Sequence, residues 1–254
     1  MTNWHGMYTL FAKEVWRFLK VTIQTILTPV VTTLLYLLVF GQALEDHVQI
    51  FPGVNYLNFL IPGLMMMNMI QNAFANSSSS LIQSKMNGNI IFVMLAPLSV
   101  LEFFLAFTAA ACLRGMMVGA VVFMVVLPFL EVPLQHPWIV VAFALLGSAT
   151  LGAMGIVAGV LSEKFDQLAA FQNFVILPLS FLSGVFYSLG SLPPLWQGIS
   201  RFNPFFYMVD GFRYGFFGQS DVAVVHSLVI CSVFLLILSL VTLYVLHKGY
   251  KLRH

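Results

Sequence analysis

Few side chains in this sequence have the types and spacing that catalysis or metal binding requires. A membrane enzyme or a proton-coupled carrier needs a buried carboxylate pair, or a cluster of histidines and acids, within its apolar segments. Glu102, Glu131 and Asp166 instead lie at the end of an apolar stretch or in short loops, where water can reach them. The six histidines lie at the termini or at the edges of apolar stretches, without metal-ligand spacing. We therefore predict no catalytic residue and no metal site.

Arg114 is the one charged residue deep inside an apolar stretch. Isolated burial of a charge in lipid is so unfavourable that such a residue is a candidate for binding a substrate or a partner. Two other interpretations remain open. Helix tilt would bring Arg114 within reach of the inner interface, or a neighbouring polar group or carbonyl would pair with it.

The sequence contains no GxxxxGK[S/T] loop, the motif with which many ATPases hold phosphate. Any coupling to ATP must therefore come from a partner chain, and we expect no cofactor on this chain. Cys112 and Cys231 both lie inside apolar runs, where a thiol packs as a small hydrophobic side chain. We predict that both cysteines are structural.

A stripe of amides runs through the second apolar stretch. Asn68, Asn72 and Asn76 recur every fourth residue, so they lie on one face of a helix. Unsatisfied amides facing lipid cost on the order of several kcal/mol each, so this face must meet protein or a hydrated path. Possible partners in the fifth stretch are Gln172, Asn173, Ser180 and Ser183. A translocation path and simple hydrogen bonding between helices are the two interpretations.

These polar residues belong to a chain with the composition of a membrane protein. It has 254 residues, of which 60% are hydrophobic and 8% charged, whereas about one quarter of the residues in a soluble domain are charged. The formal net charge of +2 is far too small and scattered for a basic nucleic-acid-binding face. A water-soluble fold and a nucleic-acid partner are both excluded.

Six stretches are long and apolar enough to cross a bilayer, which takes roughly 20 residues per helix. They are 23–43, 57–80, 100–127, 138–161, 170–190 and 223–246. Residues 7–20 precede them with the spacing of an amphipathic helix with one basic face, which we expect to lie in the membrane interface. The predicted fold is an all-α integral membrane protein, a single domain over 1–254 with six transmembrane helices.

The distribution of lysine and arginine predicts the orientation in the membrane. The N-terminal segment, the 81–99 and 162–169 loops and the C-terminal tail all carry Lys or Arg, whereas loops 44–56 and 128–137 carry none. Positively charged loops stay on the cytoplasmic side, so both termini are predicted to be cytoplasmic. Arg201 and Arg213, on the outer side, are the exceptions.

Pairs of small residues four positions apart allow close approach of helix backbones. Three such pairs occur in the third and fourth apolar stretches: Gly115 with Gly119, Ser148 with Gly152, and Gly155 with Gly159. A dimer interface is one use for them. We predict instead that they pack helices within one protomer.

Segment 191–222 is too polar and too rich in proline to span a membrane, yet too aromatic to stand free in water. Two short re-entrant helices that dip into the outer leaflet fit both properties. We expect the break near Asn203-Pro204, because proline lacks an N–H and disfavours helical geometry at the residue before it. Asp210 and Arg213 are three residues apart on the second helix and could pair. A simple aromatic belt at the interface is the alternative.

Two parts of the chain resemble the ABC-2 type permease family, in particular its small six-span members of the NodJ, DrrB and YadH kind. The first is Leu182-Ser183-Gly184-Val185-Phe186-Tyr187, followed by Leu192-Pro193, Trp196, Asn203-Pro204, Tyr207, Asp210 and Arg213, which is similar to the family's pattern before its last span. The second is the 81–99 loop, in which residues 85–89 and 95–99 resemble a cytoplasmic coupling segment. Asn89 stands where the family more often has threonine.

This resemblance implies a homodimer in the bacterial inner membrane, bound to two copies of a separate cytoplasmic ATPase that holds ATP and Mg²⁺. It implies ATPase coupling by Lys85, Met86, Asn87, Gly88, Asn89 and Phe92. The path would be lined by Asn68, Asn72, Asn76, Gln172, Asn173 and Ser180, and the outer gate formed by Gly184, Pro193, Asn203, Pro204, Asp210 and Arg213. The expected function is outward export of an amphipathic, lipid-linked or drug-like substrate.

Three alternatives compete with this interpretation. An ATP-independent secondary transporter would need coupling carboxylates or broken helices in repeated halves, and a lipid-modifying enzyme would need a polar cluster at one interface. The sequence shows neither pattern. A membrane scaffold would leave the amide stripe without a purpose.

Overall fold

The computed structural model describes residues 3–44, 53–128 and 133–249, which fold mainly into α-helices. The first half contains α1 (Trp4–Leu19), α2 (Thr22–Leu44), α3 (Tyr56–Met86), α4 (Ile90–Leu95), α5 (Val100–Val126) and α6 (Pro137–Leu161). The second half contains α7 (Phe165–Phe171), a π-helical segment (Gln172–Ile176), α8 (Leu177–Phe181), a 3₁₀ turn (Leu189–Ser191), α9 (Pro194–Phe202), α10 (Pro204–Phe217) and α11 (Val224–Lys248).

Four helices in the described residues are long and apolar enough to cross a membrane: α2 over Thr22–Gly41, α5, α6 and α11. The predicted stretch 57–80 lies within α3, a helix of 31 residues that carries the amides and a run of serines. The largest difference concerns the predicted stretch 170–190. Helical residues run from Phe165 to Phe181, with π-helical geometry over Gln172–Ile176, so the helix begins and ends earlier than the stretch. The count of six membrane spans therefore stays a prediction.

Helix α3 lies at the centre of the bundle and packs against α2, α5, α6 and α10. Glycines bring the backbones together: a Cβ added to Gly155 would lie 2.5 Å from the carbonyl oxygen of Phe74, and one added to Gly115 would lie 3.0 Å from that of Met69. A Cβ added to Gly152 of α6 would lie 2.7 Å from the Cβ of Ala111 in α5. The prediction that the small-residue pairs pack helices within the protomer is confirmed.

Helix α1 begins three residues before the predicted segment, where the side-chain oxygen of Asn3 accepts a hydrogen bond from the Gly6 N–H. Its buried side combines two apolar residues with one acid, Leu10, Phe18 and Glu14. The carboxylate of Glu14 is fully buried, while Tyr8 and Trp16 are exposed on the other side. Helix α1 thus turns part of its polar face toward the bundle and its large aromatic residues outward.

Glu102 was expected to be accessible to water, and that prediction is wrong. It is only 7% exposed, and it forms a reciprocal capping box with Ser99 at the start of α5. The Asn3 N–H also donates to the Glu102 carboxylate, which fastens the beginning of α1 to the beginning of α5. Asp166 is exposed as predicted, and Glu131 lies outside the described residues.

The break in segment 191–222 falls where the sequence predicts it. Asn203 separates α9 from α10, accepts a hydrogen bond from the Phe205 N–H at 3.0 Å and donates to the Leu179 carbonyl at 2.7 Å. Pro204 then opens α10 at a position where a missing N–H costs nothing. Most of α10 is buried, whereas α9 exposes Leu195 and Phe202. The depth of both helices in a membrane stays a prediction.

Candidate functional site

The main polar feature of the described residues is a cavity of about 500 Å³ between α1 and α2 on one side and α3 and α5 on the other. It follows α3 from Asn68 to Ser79, a length of about 16 Å at 1.5 Å per residue. We call it the polar cavity. Its lining residues are Arg17, Val21, Gln24, Thr25, Thr28, Pro29, Thr32, Asn68, Gln71, Asn72, Ala75, Ser79, Arg114 and Gln172.

Two of the three predicted stripe asparagines line this cavity. The Asn68 side-chain amide donates to the Thr33 hydroxyl of α2 and to the Leu64 carbonyl, both at 2.9 Å. The Asn72 amide donates to the Asn68 carbonyl at 3.1 Å. The amides of the stripe thus satisfy part of their hydrogen-bonding capacity within the protein and also face an open polar space. Their use as a translocation path stays a prediction.

Arg114 reaches the same cavity from α5. Its guanidinium donates from Nη2 to the Asn72 side-chain oxygen at 3.2 Å. Pairing with a neighbouring polar group, one of the three interpretations of this residue, therefore holds. The pairing also places the guanidinium on the wall of a cavity rather than in contact with lipid.

Arg17 is a cavity residue that the sequence did not single out. Its guanidinium donates to the Glu14 carboxylate at 3.1 Å, to the Asn76 carbonyl at 2.7 Å and to the Ser79 hydroxyl at 3.3 Å. Glu14 also accepts from the Ser80 hydroxyl at 2.8 Å. The spacing of Glu14 and Arg17 was the available signal, since residues three apart on a helix can pair.

Asn76 has a different place from its two neighbours on the stripe. It is fully buried, and its side-chain oxygen accepts from Arg17 at 3.0 Å. It therefore fixes the docking of α1 on α3 and does not line the cavity. The amide stripe is therefore longer than the cavity. At Asn76 the same face of α3 contacts α1 instead of the cavity.

The predicted path residues of the fifth stretch separate in the structure. Gln172 lines the polar cavity and Asn173 is exposed elsewhere. Ser180 is buried and donates to the Ile176 carbonyl of its own helix at 2.8 Å. The π-helical segment explains part of this arrangement. Pro178 lacks the N–H that an α-helix needs there, and a wider turn just before it accommodates the missing bond.

The predicted coupling segment forms a protruding corner at the end of the bundle that contains α4 and the last turns of α3, α6 and α11. Met86, Asn87, Gly88 and Asn89 are exposed, and Phe92 of α4 is 74% exposed. Gly88 has a positive φ of 71° and an added Cβ would meet open space. A larger residue at Gly88 would thus strain the backbone without causing a clash.

Lys85 points into the protein rather than out of it. Its ammonium group donates to the carbonyls of Val160 and Ser162, at 2.8 and 2.6 Å. These are carbonyls at the C-terminal end of α6, where a positive charge is stabilising. Lys85 therefore joins α3 to α6 directly behind the exposed corner.

Replacing Lys85 with methionine is expected to lower the melting temperature of the purified permease. Charge-assisted hydrogen bonds contribute about 1.5–3 kcal/mol, which corresponds to a decrease of several degrees in a chain of this length. Thermal melting in detergent, without any partner protein, measures the change. Lys164, an exposed lysine in the next loop, provides the control as Lys164→Met. Equal melting temperatures for the two variants would contradict the stabilisation of the C-terminal end of α6 by Lys85.

Two of the predicted outer-gate residues, Arg213 and Gly184, contact each other at the opposite end of the bundle. Arg213 is fully buried, lies with its guanidinium carbon 3.8 Å from the centre of the Phe59 ring, and donates to the Gly184 carbonyl at 2.7 Å. Gly184 has a φ of 75°, and an added Cβ would lie 3.2 Å from the Phe206 ring. Pro193, in contrast, is exposed just before α9.

The predicted pairing of Asp210 with Arg213 is wrong. The Asp210 carboxylate accepts from the backbone N–H groups of Asp221 and Val222, at 2.8 and 3.1 Å. The two side chains leave α10 toward different neighbours, Asp210 toward the turn before α11 and Arg213 toward α3. Asp221 in turn accepts from the Leu189 N–H at 3.0 Å. Both buried charged groups therefore form hydrogen bonds with loops and form no ion pair with each other.

Comparison with known proteins shows which family this chain belongs to. The ABC-2 type transporter family profile matches residues 5–217. The chain is 38% identical to the inner membrane transport permease YadH of Escherichia coli (strain K12) over 252 residues, covering 98% of each chain. It is 26% identical to nodulation protein J of Rhizobium leguminosarum bv. viciae, covering 84% of this chain and 83% of that one. The chain is 27% identical to the capsule polysaccharide export inner-membrane protein BexB of Haemophilus influenzae over 143 residues, about half of each chain.

Proposed function

Because the chain belongs to the ABC-2 type transporter family, we propose that it exports an amphipathic or lipid-linked substrate, powered by a separate ATPase. Membership of this family makes it a transport permease of the inner membrane rather than an enzyme. The observation that carries the proposal is 38% identity to a transport permease over nearly the whole of both chains. The family resemblance recognised in residues 182–213 and 85–99 is thereby confirmed.

The proposed ATPase contact is the corner around α4. Exposed apolar side chains at one end of a membrane protein typically mark an interaction site, and α4 exposes Ile91, Phe92 and Leu95. The positive-inside pattern predicts that this corner is cytoplasmic, where an ATPase would reach it. Because the hydrogen bonds of Lys85 connect the corner to α6, a displacement of α4 would also displace the helices of the bundle.

The proposed assembly is a homodimer of six-span subunits with both termini in the cytoplasm and two bound ATPases. Support comes from apolar surface that one protomer leaves uncovered on both sides of the polar cavity. Leu27 and Leu38 of α2 are exposed, as are Phe174, Leu177 and Phe181 of the 165–181 helix. Two protomers that meet along these helices would enclose their polar cavities between them.

The proposed direction is outward, with α9 and α10 closing the outer end of the path. ATP-driven closure of the ATPases would then tip the bundles between inner-open and outer-open states, a rigid-body mode of switching. The polar cavity argues against a passive scaffold, because a scaffold has no use for charged groups facing an open space within the bundle.

The test is purification of the tagged permease from membranes of its own organism, followed by identification of the bound proteins. The proposal expects a protein with a phosphate-binding loop to copurify, and the complex to hydrolyse ATP in proteoliposomes in a vanadate-sensitive manner. A permease that moves substrate in proteoliposomes without any ATPase would refute the proposal in favour of a secondary transporter.

A further inference from the structure

We propose that the polar cavity binds the anionic group, a phosphate or a carboxylate, of an amphipathic substrate, with Arg114 as its principal contact. This inference rests on the proposed transport function and adds the chemical class of the substrate. It is carried by the charges that line the cavity, by two unpaired hydrogen-bond donors of its lining residues, and by a partly apolar groove next to it.

The charge on the cavity wall is positive. Arg17 and Arg114 are the only charged residues among those that line it in the described structure. Arg17 is balanced by Glu14, which also lies 3.3 Å from Lys13. Arg114 has the neutral oxygen of Asn72 as its hydrogen-bond acceptor. One guanidinium charge is thus left without an acid, and an anion is the ligand that would compensate it.

The cavity also has a surplus of donors. The Nε of Arg114 and the Nε2 of Gln71 are both buried without a hydrogen-bond partner in the described part of the protein. Buried polar atoms are rarely left unsatisfied, because each unpaired group loses its hydration and regains nothing. Both residues line the same cavity. An acceptor-only group such as phosphate would supply what they lack once either side chain turns its buried nitrogen toward the cavity.

A neighbouring groove indicates that the anion belongs to an amphiphile. The groove has a volume of about 490 Å³, shares Val21, Gln24 and Thr28 with the polar cavity, and extends along α2 past Ile23 and Leu27. Its apolar side chains are exposed, Ile23 by 79%. An anionic head in the cavity and an acyl chain along α2 would therefore occupy adjoining surfaces.

The experiment measures binding of dioctanoyl phosphatidate to the purified permease in a neutral detergent by thermophoresis. Arg114→Gln is expected to weaken this binding roughly tenfold to hundredfold, the range expected for a lost charge-assisted hydrogen bond. Arg114→Lys retains the charge but not the planar fork, so its binding should be intermediate. Arg201→Gln removes an exposed arginine outside the cavity and should leave the affinity unchanged.

A second variant separates binding from folding. Gln24→Glu is isosteric, is exposed on the cavity wall and introduces a carboxylate opposite the arginines. It should weaken phosphatidate binding at least threefold while the melting temperature is unchanged. Unchanged affinity in both Gln24→Glu and Arg114→Gln would overturn the proposal.

Two further ligands identify the source of the affinity. Dioctanoylglycerol has the same acyl chains without the phosphate, and binding as tight as that of phosphatidate would overturn the proposal. Inorganic phosphate that competes at micromolar concentration would support an anion site but refute the requirement for an amphiphile. Binding of phosphatidate by a permease that recruits no ATPase would support the anion site while refuting the proposed ATP-driven function, so the two failures are distinguishable.

Discussion

Replacing Phe92 with aspartate is expected to reduce copurification of the ATPase by more than tenfold and to abolish transport. Phe92 is 74% exposed at the centre of the α4 corner. If the corner docks into the ATPase, this aromatic side chain is its largest anchor, and loss of such an anchor typically costs about 2 kcal/mol or more. That corresponds to roughly a thirtyfold loss of affinity. A buried carboxylate without a partner adds to the cost.

The same substitution should not affect the stability of the isolated permease, because the side chain is mostly exposed there. Copurification from membranes and thermal melting of the permease alone provide the two measurements. Phe202→Asp is the matched control, since Phe202 is 91% exposed on α9 at the other end of the bundle. It should leave ATPase binding intact. Normal ATPase recovery with the Phe92 variant would show that α4 is not the docking element.

Replacing Gly155 with leucine is expected to prevent recovery of a folded permease. An added Cβ at this position would lie 2.5 Å from the Phe74 carbonyl oxygen and 3.1 Å from the Ser77 Cβ. The nearest atom belongs to the backbone of α3, so no side chain can move aside to make room. Even alanine would overpack the site and lower the free energy of unfolding by about 1–3 kcal/mol or more. Leucine must separate α3 from α6, the most extensively packed pair of helices.

The effect can be followed by size-exclusion chromatography of the fluorescently tagged protein and by thermal melting. Gly198 in α9 is the control, because an added Cβ there meets no atom within 4 Å. Gly198→Ala should be neutral or slightly stabilising, as alanine is the better helix former. A monodisperse Gly155→Leu variant that melts like the original protein would contradict the described packing of α3 on α6.

Several features of the fold could be predicted because they depend on local properties of the chain. The small-residue pairs in α5 and α6 predict close packing, since only small residues allow backbones to approach. Asn203 and Pro204 predict the break between α9 and α10, since the geometry of proline is local. The spacing of Asn68 and Asn72 predicts a polar helix face, and both residues do line the polar cavity.

Other features could not be predicted because they depend on contacts between distant residues. The sequence places Lys85 in an exposed loop, yet its ammonium group caps α6, about 75 residues further along the chain. Asp210 and Arg213 have the right spacing to pair, but Asp210 accepts from the turn before α11 and Arg213 donates to the Gly184 carbonyl. Asn76 continues the stripe, but α1 covers it.

The sequence by itself determined that this is a helical membrane protein and that a break falls between α9 and α10, because hydrophobicity and the geometry of proline act locally. Only the tertiary structure decided which polar residues share one cavity. Arg17 comes from α1, Asn72 from α3, Arg114 from α5 and Gln172 from the π-helical segment. Their assembly depends on the rotation of each helix about its own axis. That rotation is set by the packing of α3 against its neighbours, which no single stretch of sequence specifies.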